Sequence, residues 1–586
     1  MWVKRVRAAP LTGVRTAAKV SAPPVTEQPE HPKLGLALSG GGHRAAFFHV
    51  GVLARLAELG LLRRVEVIST VSGGSIVGAL YYLHVKNLLE SKADTEIGDT
   101  DYVEAVRAVE REYREAAATN VRGSGWANPL KNFQMALPTY TRTDRVAELY
   151  EQRFYSKAWG ERPKTGGRIR MRDLLIAPKG HEGRFDPDVE NATRNAPVPI
   201  LLLEATTVNT GHNWRFEAMY MGEPPRQGLP DVASREDVDK NTILPRTAWD
   251  DLPAACRDFP LGSAVVSSAC FPGGFPPMQV TGLYKDQGWI VKLIDGGVHD
   301  NQGVEGLDDR GCTHLVISDG SGQMPDVKKP STRLPAVLGR VVSIYGDAER
   351  EQRLLELLDR GDSVGFMHLQ TGLPARTMPV RGAASTEEAE LPTSEFGVAE
   401  GVQRAHAEVR TDLDAFCEVE AWSLMADAYQ LAGRILPTRT ALASLGTPIG
   451  EQEWTFDVVE GQLGKPTDRY LKLMRVSKQR FLKPARMTPW LLPLVLLLML
   501  GALGAAAWGL WLLLTPHGNV LFIAGLATLG ALAIYANSEK AFVKPVAVAL
   551  FDVVLPAILA LPLVLVAWLQ ILAGRWWLSI GRAGRL

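Results

Sequence analysis

Three short stretches hold the residue types that acyl transfer requires. The first, Thr70-Val71-Ser72-Gly73-Gly74-Ser75, ends the strand-like run Val65–Val71 and opens an apolar helical stretch, Ser75–Leu89. Strand, tight turn at serine and helix make the geometry of a nucleophile elbow. It exposes the Ser72 hydroxyl at a helix start, while Gly73 and Gly74 let the backbone pack closely. The second, Ser39-Gly40-Gly41-Gly42-His43-Arg44, joins the run Leu34–Leu38 to the helical stretch Ala45–Leu59. Consecutive glycines let N–H groups converge on a concavity that fits a phosphate or a developing oxyanion. No Lys-Ser/Thr follows them and no G-x-G-x-x-G is present, so nucleotide-loop patterns fail. The third, Asp295-Gly296-Gly297, ends the strand Val291–Ile294, with Asp300-Asn301 beyond. A carboxylate at a strand end beside glycines can approach a second loop and take the Ser72 proton directly. Taken singly, each stretch also reads as an ordinary turn serine, turn aspartate or glycine turn.

A Ser-His-Asp triad is the competing arrangement. Of 11 histidines, His43 and His299 lie close to these motifs, without a recognisable triad context. Cys256, Cys270, Cys312 and Cys417 lack metal-ligand spacing and disulfide-framework spacing, so neither a metal nor a cofactor is expected. Lys+Arg and Asp+Glu both number 64, which offers no basic excess for nucleic acid.

The surrounding texture is that of an α/β protein with a mainly parallel sheet. Further buried-strand candidates are Ile200–Val208, Ile290–Ile294 and His314–Ser318, and Tyr102–Ala118 and Thr143–Phe154 read as surface helices. Segments 160–198 and 220–250 read as loops or a lid and 371–396 as a low-complexity loop, and helical periodicity resumes from Gly397 to about Leu436. Residues 1–31 read as a basic, proline-rich, disordered leader without the apolar core of a secretory signal, a membrane-surface segment being the alternative. The expected organisation is this leader, an enzyme domain over 32–445, a basic juxtamembrane linker over 446–488 and a membrane region over 489–586.

The tail stands apart in composition. From Trp490 to Leu586 the charged residues are Glu539, Lys540, Lys544, Asp552, Arg575, Arg582 and Arg585 alone. Trp490–Leu514 is uncharged and long enough to cross ~30 Å of hydrocarbon. Val520–Ala536 spans marginally, and Val546–Ala573 contains Pro556 and Pro562. Lys465, Arg469, Lys472, Arg475, Lys478, Arg480, Lys483 and Arg486 precede the first span and favour a cytoplasmic catalytic side. Three spans would place the terminal arginines on the far side; a re-entrant or interfacial third segment would not. Two spans and three both stand. A soluble buried hairpin is the alternative for the tail, and a solvated basic helix for the cluster.

The three ordered motifs resemble those of the patatin-like phospholipase family. Ser267-Ser268-Ala269-Cys270-Phe271-Pro272-Gly273-Gly274-Phe275-Pro276-Pro277 and Arg410-Thr411-Asp412-Leu413-Asp414 are similar to stretches of its bacterial members. The resemblance covers about residues 33–320 and extends more weakly to about 436. It implies a three-layer α/β fold and a metal-free Ser-Asp dyad acting on acyl esters of lipids. Ser72 would be the nucleophile, Asp295 the base, and Gly40, Gly41 and Gly42 with Arg44 the oxyanion hole. Thr70 stands where the family usually has glycine, and Ala45 where a glycine commonly follows the arginine. The expected partners are a membrane phospholipid or other acyl lipid and a lipid bilayer, in a bacterial inner membrane. A catalytically silent lipid-binding scaffold and a channel-forming tail are the rival readings.

Overall fold

The computed structural model describes residues 31–586 except 136–139, 163–166, 226–238, 287, 322, 325, 376, 379, 382–395, 481–482, 489, 491–492, 494–554 and 586. Its centre is a sheet whose five parallel strands run β10 (Val364–His368), β9 (His314–Asp319), β1 (Leu34–Leu38), β2 (Val65–Val71) and β3 (Ile200–Thr207). Beyond β3 the sheet continues antiparallel through β4 (Asn213–Phe216), β5 (Tyr220–Gly222) and β6 (Thr247–Ala248). The parallel strands read as nearly continuous apolar runs because helices cover both faces. Within β1, Leu36 and Leu38 join the larger core while Ala37 faces a smaller one with Val67, Leu202, Leu315 and Ile317. That alternation defines three layers.

On the larger-core face lie α1 (Gly42–Glu58), α2 (Gly73–Ser91) and α3 (Asp99–Ala117). Four further helices matter below: α4 (Arg142–Tyr150), α5 (Leu261–Ala269), α6 (Leu334–Leu358) and α7 (Glu418–Ile435). Gly51 lets α1 cross α7 closely, since a Cβ there would run into the Met425 carbonyl. The opposite face is covered by Val304 and Leu307 and by the end of α6, through Leu354 and Leu357.

Several elements differ from the sequence expectation. The two helices read as surface elements are half embedded, with Tyr102, Val106, Tyr113, Val146, Tyr150 and Phe154 buried. Apart from the buried Glu110, Glu112 and Glu151, their charged residues sit toward the outer side and mask the apolar stripe. The stretch 446–488, read as a linker, folds back on the domain: Trp454 Nε1 donates to Glu58 at 2.8 Å, and Tyr470 Oη to Ser423 at 2.9 Å. Apart from Lys483, which is buried, its basic residues lie on the outer side of short helices whose Leu473 and Met474 are buried. The 25-residue helix α6 has no counterpart in the sequence reading.

Among the described residues, no helix is long and apolar enough to cross a membrane. The candidate spans Trp490–Leu514 and Val520–Ala536 lie almost wholly outside the described residues. Of the third apolar stretch, the part from Leu555 belongs to helix α8 (Leu555–Ile580), whose last turns pack on the domain. Trp577 is fully buried and its Nε1 donates to Glu420 at 2.7 Å, and Val419 donates to the Gly581 carbonyl at 3.1 Å.

Candidate active site

The site forms where β3 receives two partners in succession on one edge. Val71, the last residue of β2, pairs with Glu204 of β3. The next residue of β3, Ala205, pairs with Asp295 at the end of β8 (Val291–Asp295), which runs antiparallel to β3 and also pairs with β7 (Met278–Val280). Since β4 occupies the other edge of β3 at the same residues, β8 takes over the slot that β2 vacates. The chain therefore leaves the sheet at Ser72 where Asp295 arrives.

Ser72 has φ 51 and ψ −111, and among the described residues it is the sole non-glycine with positive φ. Such strain persists only where the surroundings enforce it. Here they do: a Cβ on Gly73 would strike Gly42, and one on Gly74 would strike Leu38 and Ser39. The Ser72 N–H donates to Ser268 Oγ at 2.9 Å. Ser268 meets Ser75 Oγ at 2.8 Å, Ser75 meets Thr70 Oγ1 at 3.0 Å, and Thr70 donates to the Leu202 carbonyl at 2.8 Å. Thr70 is thus the far post of a hydroxyl chain that fixes the elbow, using a side chain glycine lacks.

The Ser72 side chain hydrogen-bonds to Asp295, and Asp295 Oδ1 also accepts the Gly297 N–H at 2.9 Å. Burial pushes the Asp295 carboxyl up to about 6, against the lowering effect of these two donors. Thr206 donates to the Asp295 carbonyl at 3.0 Å, and Asp295 N–H to the Cys270 carbonyl at 3.2 Å, so its backbone is held from both sides.

The glycine loop lies against the elbow. Gly41 has φ 134 and Gly42 φ 57, conformations that glycine adopts without the Cβ penalty. The Gly40 N–H donates to the Asn301 carbonyl at 3.0 Å. It is therefore spent on the loop, a correction to its expected place among the oxyanion donors. The amides of Gly41 and Gly42 begin α1 and have no backbone acceptor among the described residues, as helix starts leave them.

Arg44 also differs from expectation. Four of its five N–H donors go to backbone carbonyls: Gly320 at 3.2 Å, Ala407 at 2.7 Å, Val409 at 2.9 Å, and Ser321. Burial lowers its pKa to about 10, so it stays cationic at neutral pH. Its guanidinium braces the loops behind the glycines. The reason is reach: from the first turn of α1 it meets the 320–321 and 407–409 segments before any vacant volume.

Neither candidate triad histidine joins the pair. His43 Nδ1 meets Tyr113 Oη at 2.8 Å inside an aromatic cluster with Phe47, Phe154 and Phe416, and burial lowers its pKa to about 3. His299 Nε2 meets Glu305 at 2.8 Å. Asp300 accepts the N–H groups of Gln302, Gly303 and Glu305, which makes it a turn cap. Among the described residues there is no cluster of three or more possible metal ligands. A cleft of about 720 Å³ lies between α8 and residues 118–130, and neither the Ser72–Asp295 pair nor the glycine loop lines it.

Sequence reasoning missed the supporting groups. Ser268 belongs to a stretch noted only for its resemblance. Thr411 presents its carbonyl where a Cβ on Gly42 would fall, and Asn301 packs its side chain against Gly40 and Gly297. Ser268 and Thr411 lie far along the chain from what they support, as Asn301 does from Gly40.

Residues 36–308 match the sequence model of the family described as patatin-like phospholipase. Among solved structures, human GIVD cytosolic phospholipase A2, in complex with a methyl gamma-linolenyl fluorophosphonate inhibitor and terbium chloride, is similar at 16% identity and a TM-score of 0.32. The match covers 70% of this chain and 59% of that one, so this chain spans about 59% of that protein's length. VipD from Legionella pneumophila is similar at 14% identity and a TM-score of 0.23, over 79% of this chain and 86% of that one. No curated protein matches the chain.

Proposed function

The chain carries a patatin-like phospholipase domain over residues 36–308, and on that premise we propose that it is a serine hydrolase of lipid acyl esters, phospholipids foremost, working through Ser72 and Asp295. The observation that carries this reading is the strained Ser72 hydrogen-bonded to a buried carboxylate beside two uncommitted amides.

In the proposed mechanism Ser72 Oγ attacks the ester carbonyl carbon while Asp295 takes its proton. A carboxyl with a pKa of about 6 is ionised at neutral pH yet more basic than an exposed aspartate. The carbonyl oxygen, now an anion, is stabilised by the Gly41 and Gly42 amides, each worth about 3–4 kcal/mol in comparable sites. Asp295 returns the proton to the departing alcohol. Water, deprotonated by the same carboxylate, then releases the fatty acid and restores Ser72.

We propose further that the apolar tail anchors the domain in a membrane, with the basic stretch before it on the cytoplasmic side. Supporting two crossings over three, both ends of the apolar region are held by one domain: Lys483 Nζ reaches Asp414 at 2.9 Å, and Trp577 reaches Glu420 at 2.7 Å. Fluorophosphonate labelling of the purified protein tests the hydrolase reading. Label on Ser72 that is absent from Ser72→Ala supports it, and an unlabelled, folded wild type would favour a silent scaffold.

A further inference from the structure

The first half of α6 is exposed over most of its surface. Arg350 on this helix donates to Asp319 at 2.9 Å, at the end of β9, on the sheet edge where Ser72 and Asp295 also lie. From there α6 runs down toward the opposite edge, where Leu354 and Leu357 pack on the smaller core. Its start at Leu334 is 16 residues earlier, so the arm projects about 24 Å beyond the sheet edge, at 1.5 Å per residue. Leu334, Val337, Leu338, Val341, Val342, Ile344 and Tyr345 are all exposed, Tyr345 at 74%. At 100° per residue they fill an arc of about 160°, wider than the stripe a surface helix normally buries. Ala336, Gly339, Arg340 and Ser343 lie on the reverse.

Charge and location identify what covers this arc. No acid occurs between Val327 and Gly346, whereas Lys328, Lys329 and Arg333, just before the start of the helix, are exposed. Val298, three residues after Asp295, and Phe271, next to the Cys270 whose carbonyl accepts the Asp295 N–H, are exposed at 46% and 60%. Exposed apolar groups therefore recur on the side where the site lies. An exposed apolar arc preceded by basic residues is the composition of an interfacial segment lying along the bilayer surface, and the arm is too short to cross a bilayer.

We propose that the Leu334–Tyr345 arm docks the active-site side on an anionic phospholipid bilayer, its apolar arc in the acyl boundary and Lys328, Lys329 and Arg333 among the headgroups. The choice of a bilayer over a protein partner rests on the lipid-hydrolase reading; the docking itself needs no catalysis.

The four native cysteines are buried, so single cysteines introduced at exposed sites can be labelled selectively. Leu338→Cys, Val342→Cys and, on the reverse of the helix, Ser343→Cys would each carry an environment-sensitive fluorophore in the full chain. The protein is reconstituted into phosphatidylcholine–phosphatidylglycerol vesicles. The expected result is a blue shift and quenching by brominated lipid at 338 and 342, both exceeding those at 343. Quenching by aqueous iodide at all three positions overturns the proposal. So does shielding from both quenchers, which means that a second copy or another protein surface covers the arm. Fluorophosphonate labelling of Ser72 in the same samples separates the two readings: insertion without labelling leaves the docking standing and removes the hydrolase.

Discussion

Val71 and Asp295 occupy consecutive rungs on one edge of β3, the first paired with Glu204 and the second with Ala205. The separation between nucleophile and base is therefore set by a strand register, which shifts only in whole residues. A loop-borne aspartate would have no such constraint. The same placement buries the carboxyl and raises its pKa.

That burial gives a pH profile. With the Asp295 pKa at about 6, kcat/KM for a water-soluble ester is expected to fall about tenfold per pH unit below that value, as the base is protonated. Stability moves the other way. A carboxyl raised from 3.8 in the unfolded chain to about 6 in the folded one stabilises below the lower value, and the benefit is lost as pH rises through the upper. The loss is roughly 3 kcal/mol by linkage. Denaturant midpoints of Asp295→Asn compared with wild type from pH 3.5 to 7 check this, because the variant lacks that component of the decline.

Ser268 holds the elbow without touching substrate. Ser268→Ala leaves the Ser72 N–H without its acceptor, at a cost of about 1–3 kcal/mol. Because the elbow is then less well fixed, kcat is expected to fall roughly tenfold or more with little change in KM. Steady-state kinetics on a short-chain ester read the split; equal changes in both constants would mean a general loss of structure.

Gly42 should tolerate no side chain. Its φ is 57 and the Thr411 carbonyl occupies the Cβ direction, so Gly42→Ala must displace the 410–414 segment or the loop. Hydrolysis is expected to drop at least about 100-fold, the scale of losing one oxyanion donor, with circular dichroism reporting a folded domain.

How far the sequence revealed this arrangement depended on distance along the chain. The two glycine turns and the aspartate were legible because strand, turn and helix are local signals, and so were the parallel strands as apolar runs. Arg44 was misplaced because its acceptors, at 320–321 and 407–409, come from loops that no local pattern links to it. Gly40 was misplaced because its amide is taken by Asn301, distant in sequence. Thr70 reads as a departure from a motif, yet its hydroxyl meets Ser75, which in turn meets Ser268. The arm of α6 went unread because Pro335 and Gly339 interrupt its apolar pattern.

The docked end of α8 supports the domain. Glu420 and Arg410 form a buried pair, Asp414 binds Arg410 and Lys483, and Trp577 supplies an indole N–H to Glu420. Trp577→Phe keeps most of the packing and removes that donor, so a destabilisation of about 1.5–3 kcal/mol is expected. Chemical denaturation in detergent measures it, and an unchanged midpoint would mean that the helix end is not held by Glu420.

The most direct test is fatty-acid release from mixed phospholipid micelles by the detergent-purified full chain, wild type beside Ser72→Ala. The account expects release by wild type and none above background from the variant. Equal release from both proteins would contradict it, because the ester would then be cleaved without Ser72.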